Sequence, residues 1–579
     1  MNDSAALHAS TEGHTSTEGH EVPTESLANE GPNGGDILVS VMRDQGVEVA
    51  FGVISIHNLP LVQAVDRELR FVPMRHEAAV INAADAYART TGKIGVALTS
   101  TGTGAGNAAG SMLEALTAQS RVLHITGNVN ADLIGEHTGA YHEVPRQLAM
   151  LQAVSQHALR IETARQAHAT LTDAVRLLGT APHGPVSVDW PIDLQYTANP
   201  AEQNKIDDRE PTVRTGAQRD LERAAAVLRR AERPLIWAGG GARRVGPALT
   251  ELAEAWGAGV LTGTNGRGSV PEDHPLVVGN LASDEAVVDL IERADCLLTI
   301  GSHLRPSETR NGALPFPDTH VQIDLDADAL GRNTPVTVGL QADATVAVPA
   351  LLALLQDPDE ESDQQLATDP NWGRQVAEAA ASARSSLREK IGAYAPMCDA
   401  LRARLPRHAP IVRDVTIPGS SWGNRLLAVH SPTDNVFAAG GGIGQGLAMA
   451  VGAAFGRPDA PVLAMVGDGG LAVHLGELGV LAAEQPHVIV VVFNDGGYGV
   501  LRNLQAAASD PTHAVDLATP DFATLAQAYG LKHRLVSDPE GFDKALKKAL
   551  KKDRPSIIEV DVTALDPAPA AMVPPIEVP

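Results

Sequence analysis

The sequence predicts an α/β protein built from three doubly wound parallel-sheet domains. From Asp36 onward, short apolar runs typical of buried strands alternate with helical stretches and short turns, which is the pattern of parallel sheets covered by helices. The chain has 579 residues, too many for one hydrophobic core and suited to about three domains. Two polar stretches, 197–215 and 356–363, divide it into three parts.

The composition excludes several classes of protein. Apolar residues make up 44% of the chain, yet no uninterrupted apolar segment reaches the roughly 18 residues of a membrane span, so we expect a globular protein with no membrane partner. The net charge of −25 argues against nucleic acid, whose phosphates need a basic face. Two cysteines, Cys296 and Cys398, imply packing residues, no disulfide framework and a cytoplasmic location.

The two ends of the chain are predicted to be tails. Residues 1–30 lack the basic start and apolar core of a secretory signal. They contain a short direct repeat, 10–14 and 16–20, whose histidines could bind a metal weakly, but a disordered polar tail is the better interpretation. Residues 566–579 are rich in Pro and Ala and predict an extended tail.

The first domain, residues 31–200, carries a glutamate at the start of a predicted helix. A helix over 38–45 precedes a strand at 49–53, and Glu77 opens a helical run that continues to Gly92. A strand and then a Gly-rich turn at 101–107 follow. An acidic residue in the first turn of a helix has an ordinary electrostatic explanation, so Glu77 alone does not indicate catalysis.

The central domain, residues 211–355, contains a glycine turn, Gly239 to Gly241, after a predicted strand. The turn lacks the G-x-G-x-x-G pattern and is therefore a weak signal for a nucleotide. A dehydrogenase using this turn is accordingly a weak hypothesis.

The third domain, residues 375–565, carries the most informative motif. An apolar run ends in Gly467-Asp468-Gly469, and a second apolar run ends 24 residues later in Asn494-Asp495-Gly496-Gly497-Tyr498-Gly499. Carboxylate and carbonyl oxygens suit Mg²⁺ or Ca²⁺, and glycine lets backbone N–H groups approach a phosphate. In a parallel sheet both loops lie at the carboxyl edge, where such ligands bind.

This spacing resembles the signature of thiamine diphosphate (ThDP) enzymes, and the run around Glu77 resembles their pyrimidine-binding domain. Two motifs in the expected order rarely arise by accident. The resemblance covers nearly the whole chain and is strongest to the acetolactate synthase, pyruvate oxidase and benzoylformate decarboxylase branch. It implies a pyrimidine-binding domain, a central domain and a diphosphate-binding domain, in that order.

The resemblance implies roles for particular residues. Asp468 and Asp495 would supply side-chain oxygens to Mg²⁺, and Gly497 a carbonyl oxygen. Glu77 would hydrogen-bond N1′ of the aminopyrimidine and favour its imino tautomer, while Ile443 would support the bent cofactor from beneath. The remaining cofactor contacts are expected from Thr416, Ser420, Gly442, Gly467, Gly469, Gly470, Tyr498 and Gly499. Taken singly, these are also ordinary turn or core residues.

Polar side chains near the reacting carbon are less well defined. His57 and His142 are the catalytic candidates, since a histidine near neutral pKa can move a proton or hold a carboxylate. Ser100 and His474 are further candidates. Each also has a purely structural interpretation.

Some expected family features are missing. Ile54-Ser55 replaces the usual Pro-Gly near the substrate cavity, and Gln156 and Leu504 replace a lysine and a tryptophan of acetolactate synthases. Some relatives hold FAD or ADP in the central domain. The run 302–309 stands where they contact FAD, and it does not favour FAD here.

The sequence therefore favours a ThDP- and Mg²⁺-dependent 2-oxo acid decarboxylating lyase or carboligase, similar to acetolactate synthase. A simple non-oxidative decarboxylase or a 2-hydroxyacyl lyase is the nearest alternative. A non-catalytic ThDP-fold subunit is a different class, which loss of Glu77 or Asp468 would have favoured. The expected partners are a small 2-oxo acid, a carbonyl acceptor for the carboligase, and further copies of the chain in a homodimer or homotetramer.

Overall fold

The computed structural model describes residues 31–198, 214–356 and 366–572. These residues form three six-stranded parallel sheets flanked by helices, which confirms the predicted fold class. The predicted N-terminal tail, with its repeat, lies outside the described residues, as does the C-terminal tail beyond residue 572. In the described ranges no helix is both long enough and apolar enough to cross a membrane.

The first sheet has the strand order β2-β1-β3-β4-β6-β5. Its strands are β1 (Val49–Gly52), β2 (Arg70–Pro73), β3 (Gly95–Thr99), β4 (Val122–Asn128), β5 (His157–Arg160) and β6 (Val186–Pro191). Its helices are α1 (Gly34–Asp44), α2 (Leu59–Glu68), α3 (Glu77–Thr91), α4 (Thr103–Thr117), α5 (Gln147–Val154), α6 (Ala167–Gly179) and α7 (Ile192–Tyr196).

The segment predicted as a Gly-rich turn at 101–107 is mostly helix, because α4 begins at Thr103. The turn itself is confined to the residues before it, where Gly102 has a left-handed φ of 61°. Gly104, inside the helix, lies against Glu77: a Cβ at Gly104 would be 2.8 Å from Glu77 Oε1. Tertiary packing therefore overrides the low helix propensity of glycine here.

The central sheet has the order β12-β11-β10-β7-β8-β9, the 3-2-1-4-5-6 arrangement of dinucleotide-binding folds. Its strands are β7 (Pro234–Ala238), β8 (Gly259–Thr262), β9 (Val277–Gly279), β10 (Cys296–Ile300), β11 (His320–Asp324) and β12 (Val338–Gln341). Its helices are α8 (Gln218–Leu228), α9 (Gly246–Trp256), α10 (Glu285–Arg293) and α11 (Ala344–Gln356). The long helix α12 (Trp372–Lys390) also packs here, and Trp372 Nε1 donates to Pro234 O at 2.8 Å.

The third sheet repeats the topology of the first, with the order β14-β13-β15-β16-β18-β17. Its strands are β13 (Ile411–Arg413), β14 (Asn435–Phe437), β15 (Val462–Gly467), β16 (Val488–Asn494), β17 (Lys532–Val536) and β18 (Ser556–Asp561). Its helices are α13 (Tyr394–Arg404), α14 (Ile417–Ser420), α15 (Gly446–Gly456), α16 (Asp468–Val473), α17 (Leu478–Glu484), α18 (Gly499–Ala507), α19 (Phe522–Ala528) and α20 (Pro539–Leu550).

The first and third domains share one hydrophobic core. Helix α3 packs directly against α15, and buried residues of both sheets belong to the same apolar cluster. Gly452 lets the two helices approach, because a Cβ there would collide with the backbone carbonyl of Ala83. Cys296 and Cys398 are free and buried in other cores, as predicted from their number.

A buried arginine joins the central domain to the third. Arg267 is fully buried and forms an ion pair with Glu272 at 2.6 Å. Its guanidinium also donates to the carbonyls of Gly423 and Leu427, at 2.8 and 2.7 Å. These carbonyls follow α14, so the central domain helps to fix the loops at the edge of the third sheet.

Candidate active site

The two aspartates of the Gly-Asp-Gly and Asn-Asp motifs lie at one edge of the third sheet. Strands β15 and β16 are parallel neighbours, with Gly467 opposite Phe493. Asp468 is the first residue of α16, and Asp495 directly follows β16. The sequence prediction that both loops meet at the carboxyl edge is therefore correct for the backbone.

Both carboxylates carry an oxygen that lacks a hydrogen-bond partner. Asp468 Oδ2 and Asp495 Oδ1 are buried, and neither has a hydrogen-bond partner among the described residues. Burial raises the pKa of Asp468, and burial together with the charge of Asp468 raises the pKa of Asp495 to about 6. The Arg502 guanidinium, 3.9 Å from Asp495 Oδ1, opposes this effect only partly. Buried carboxylates in this situation are stabilised by a cation.

Glycine is required at two positions beside these aspartates. Gly497 has φ 149°, and a Cβ there would collide with Val515 O, because the backbone at Gly497 pairs with Asp516 in an isolated antiparallel bridge. A Cβ at Gly499 would collide with Asp495 Oδ2. The Gly497 carbonyl and the two carboxylates are all hard oxygen donors, the ligand type that Mg²⁺ prefers.

A cradle made mostly of small residues surrounds Asp468 and Asp495. A Cβ added at Gly469 would lie 2.9 Å from the ring of Tyr498. A Cβ added at Gly467 would lie 3.2 Å from Thr416 Oγ1. Thr416 precedes α14, the short helix that ends at Ser420. The structure thus brings the residues predicted to bind the diphosphate to one sheet edge, where Gly470 also lies.

The loop that carries Ile443 is held by two buried carboxylates. Glu114 accepts the N–H groups of Gly440 and Gly442, each at 2.6 Å. Asp414 accepts those of Gly444 and Gly446, at 3.1 and 3.2 Å. Burial raises the pKa of Glu114 and raises that of Asp414 to about 6. The Ile443 side chain is left 38% exposed, free to meet a ligand or another chain.

Glu77 is the first residue of α3 and faces α4. Its Oε2 accepts a hydrogen bond from Asn107 Nδ2 at 3.0 Å, while Oε1 lies beside Gly104. In the described part of the chain Glu77 forms no hydrogen bond or ion pair with Asp468 or Asp495. The contacts with Asn107 and Gly104 place the Glu77 carboxylate between α3 and α4.

His57 and His142 lie together. Their ring centroids are 5.3 Å apart, and the ring of Tyr141 stacks on His142 at 4.4 Å. His57 is buried with Nδ1 unpartnered among the described residues, and burial followed by the proximity of His142 lowers its pKa. His142 adopts a left-handed φ of 68°, at which its carbonyl lies close to Gly102. The lowered pKa favours the neutral form of the His57 ring.

The other two polar candidates have structural contacts. His474 Nδ1 donates to Gly444 O at 2.8 Å, which ties it to the loop of Ile443, and its ring lies 5.3 Å from that of His76. Ser100 is buried, and its carbonyl accepts from Thr126 Oγ1 at 2.7 Å. Neither observation assigns a chemical role.

A cavity of about 540 Å³ lies between the first and central domains. The turn Gly239 to Gly241 lines it, together with Ser302, His303 and Glu308 of the run predicted not to favour FAD. Several arginines also line it, among them Arg121 and Arg243. The expectation about FAD stays a prediction.

Four polar residues of this region were not singled out from the sequence: Asn107, Glu114, Asp414 and Glu477. Glu114 follows Asn107 by seven residues, so both lie on one face of α4, and this spacing was an available signal. The partners of Glu114 and Glu477 lie hundreds of residues away, for example 326 for Glu114 and Gly440, and no local pattern indicates such contacts.

Three family profiles match the chain in the same order as its three sheets. Residues 32–153 match the N-terminal TPP binding domain of thiamine pyrophosphate enzymes, residues 221–351 their central domain, and residues 419–560 their C-terminal TPP binding domain. Together these matches span well over half of the chain.

Several relatives match over nearly their full length. The "Probable 2-ketoarginine decarboxylase AruI" of Pseudomonas aeruginosa is 28% identical, covering 91% of this chain and 93% of that protein. The acetolactate synthase isozyme 2 large subunit of Escherichia coli is 27% identical, covering 92% and 96%. The fold matches the ThDP-dependent 4-hydroxybenzoylformate decarboxylase of Rhodococcus jostii with a TM-score of 0.77 at 23% identity, over 91% of this chain and 99% of that one.

Asp468→Ala is expected to abolish metal-dependent ThDP binding, with a loss of affinity of at least about 100-fold. Without this ligand, the diphosphate would face Asp495 with no cation held between them. Calorimetric titration of ThDP with and without Mg²⁺ checks this, with Asp510→Ala, an exposed acidic residue after α18, as the control. Metal-dependent binding as tight as wild type would remove Asp468 from the ligand set.

Proposed function

The chain belongs to the thiamine pyrophosphate enzymes, which are carbon–carbon bond lyases and transferases, and from this premise we propose that it is a Mg²⁺-dependent 2-oxo acid decarboxylating lyase or carboligase similar to acetolactate synthase. The observation that carries the proposal is the pair of buried carboxylate oxygens on Asp468 and Asp495, which lack hydrogen-bond partners among the described residues and lie beside a glycine cradle. Such a site suits a divalent cation, and a cation there can hold a diphosphate.

In this proposal Asp468, Asp495 and the Gly497 carbonyl would hold Mg²⁺, and the small residues around them would leave room for the diphosphate. When bound, ThDP supplies the nucleophilic carbon and the electron sink for decarboxylation. Glu77 would hold a proton at N1′ of the aminopyrimidine. Asn107 orients the Glu77 carboxylate through its 3.0 Å hydrogen bond.

The histidine pair is the proposed contact for the substrate. His57 is kept uncharged by burial and can accept a proton, while His142 is exposed and can hold the carboxylate of a 2-oxo acid. Exposed apolar side chains, Ile54, Ile56 and Tyr141, border the pair. They would exclude water from the bound substrate and contact its side chain.

The function is tested with a panel of 2-oxo acids, supplied alone or with aldehyde and ketone acceptors. Release of CO₂ and formation of a hydroxyketone are measured separately. CO₂ with a carbon–carbon bond product supports the carboligase, and CO₂ with the free aldehyde supports the simple decarboxylase. No CO₂ from any 2-oxo acid, in a preparation that binds ThDP, would contradict the proposal.

The alternative within the family is a simple non-oxidative decarboxylase or a 2-hydroxyacyl lyase. One specific observation favours it over a synthase: Leu504, within α18, stands where a tryptophan is associated with the acceptor pocket in acetolactate synthases. A smaller side chain changes the space available to the second carbonyl compound. The acceptor arm of the panel separates the two activities.

The site is proposed to be completed by a second copy of the chain. Helix α4 leaves one face open: a Cβ at Gly106 or Gly110 would meet no atom within 4 Å, and Leu113 on the same face is 48% exposed. Ile443 and Val473, beside the diphosphate cradle, are likewise exposed. If the open face of α4 in one chain packed against Ile443 and Val473 of a second chain, Glu77 of the first chain would lie near Asp468 and Asp495 of the second.

Glu77→Gln is expected to slow C2–H/D exchange of bound ThDP by roughly 10²- to 10⁴-fold while ThDP affinity stays close to wild type. The reason is that Glu77 acts on the aminopyrimidine, remote from the diphosphate. Exchange is followed by NMR after acid quench, with the exposed Glu48→Gln as a control. An exchange rate equal to wild type would rule out this role.

His57→Asn and His142→Asn are each expected to lower kcat/KM by roughly 100-fold, without loss of bound ThDP. Because the two rings are neighbours, the double variant should lose less than the product of the two single effects. Steady-state kinetics on the best substrate of the panel measures this, with His157→Asn, an exposed residue at the start of β5, as a control. Wild-type kinetics in both single variants would show that the pair has no catalytic part.

Mixed dimers test the shared site. In a dimer of one Glu77→Gln chain and one Asp468→Ala chain, one site joins the two altered domains and the other joins two intact domains. Differently tagged, co-expressed chains are purified as mixed dimers and assayed. Activity near half that of wild type is expected, and activity no higher than that of either parent would refute a site shared between chains.

A further inference from the structure

Two buried glutamates link the first and third domains. Each belongs to one of these domains and accepts hydrogen bonds from a loop of the other. The two domains have the same strand order and pack through α3 and α15. Glu114, on α4 of the first domain, binds a loop of the third domain. Glu477, in the third domain between α16 and α17, binds a loop of the first. Each bound loop is next to a residue of the proposed cofactor site.

Glu477 holds the segment that precedes Glu77. Its side chain is buried, and its two oxygens accept the Arg75 N–H at 3.1 and 3.3 Å. The His76 N–H also contributes to stabilising the charged form. Burial raises the pKa of Glu477 to about 7, and the backbone donors oppose this effect in part. The start of α3 is therefore fixed by a side chain from the third domain.

Glu114 holds the segment around Ile443. It is 4% exposed and accepts two N–H groups at 2.6 Å from Gly440 and Gly442. Both glycines lie close to this carboxylate, since a Cβ at either would be 3.0 Å or less from Glu114 Oε1. One turn earlier on the same face of α4, Ser111 donates to Gln445 at 3.3 Å.

Asn107, Ser111 and Glu114 form a polar stripe along α4, at positions i, i+4 and i+7. At one end of the stripe Asn107 hydrogen-bonds Glu77, and at the other end Glu114 hydrogen-bonds the loop that carries Ile443. The same helix thus contacts both functional segments of its chain. A shift of α4 would move the two together.

We propose that Glu114 and Glu477 are reciprocal positioning residues, each of which holds a cofactor-contacting segment of the other domain in place. Glu477 sets the position of Glu77, and Glu114 sets that of Ile443. This inference rests on the proposed function, because it assigns Glu77 and Ile443 to the cofactor. A carboxylate suits this positioning role because its oxygens only accept hydrogen bonds, so one side chain can hold two adjacent backbone donors.

The glutamine variants separate positioning from general stability. Glu477→Gln places an amide N–H₂ against backbone N–H groups, which displaces the Arg75 segment. C2–H/D exchange of bound ThDP should fall roughly 10- to 100-fold, the effect of a small misplacement of a catalytic group, while ThDP affinity is unchanged. Glu114→Gln should instead weaken ThDP binding by roughly tenfold, as expected for loss of a charge-assisted hydrogen bond beside the cofactor.

Asp295→Asn is the matched control. This carboxylate also accepts two backbone N–H groups, from Glu232 and Arg233, at 3.0 and 2.9 Å, but it lies in the central domain. The control should lower the melting temperature without changing exchange or affinity per folded molecule. If a glutamine variant does not fold, the aspartate variant at the same position keeps the charge, shortens the reach and is expected to show the same selective loss.

A double variant shows whether Glu477 acts through Glu77. In a Glu77→Gln background, adding Glu477→Gln should cause no further fall in exchange. Wild-type exchange and affinity in the folded Glu477 and Glu114 variants would overturn the inference and leave the proposed function standing. Absence of C2 exchange in the wild-type chain with ThDP and Mg²⁺ would overturn both.

Discussion

Two carboxylates removed from water at the carboxyl edge of the third sheet set the requirements for the rest of the site. Asp468 and Asp495 each carry a buried oxygen without a hydrogen-bond partner in the described chain, and the charge of Asp468 raises the cost of ionising Asp495. Protonation of one carboxylate would lower this ionisation cost, and so would the binding of a cation. The glycines at 497 and 499 are explained by the same pair, since larger residues would displace the backbone or the Asp495 side chain.

The surrounding architecture keeps this edge rigid. The first and third domains have the same topology and share a core across α3 and α15. Arg267 fixes the loop after α14 from the central domain, and Glu114 fixes the Ile443 loop from the first. All three domains therefore contribute to one sheet edge, although Asp468 and Asp495 both belong to the third. A site built in this way is preorganised before a ligand arrives.

Much of this arrangement could be predicted from the sequence, because its signals are local. Apolar runs followed by Asp and Gly predicted where Asp468 and Asp495 would lie, since parallel strands end at one edge. The start of α3 at Glu77 was likewise predictable. The first turns of α4 were predicted as a Gly-rich loop, because glycine propensity is a local signal and the packing against Glu77 is not.

Contacts between domains could not be predicted. Glu477 and the Arg75 backbone are 402 residues apart, and a buried glutamate in a short helical segment has no distinctive sequence pattern. His57 and His142 were singled out separately as catalytic candidates, but their proximity depends on a left-handed residue in a loop between β4 and α5.

A crystal structure of the chain with ThDP and Mg²⁺ tests the shared, metal-bound cofactor site most directly. We expect a metal bound by Asp468, Asp495 and the Gly497 carbonyl of one chain, with Glu77 of a second chain within hydrogen-bond distance of N1′. A diphosphate bound away from these aspartates, or a cofactor completed by Glu77 of the same chain, would contradict it.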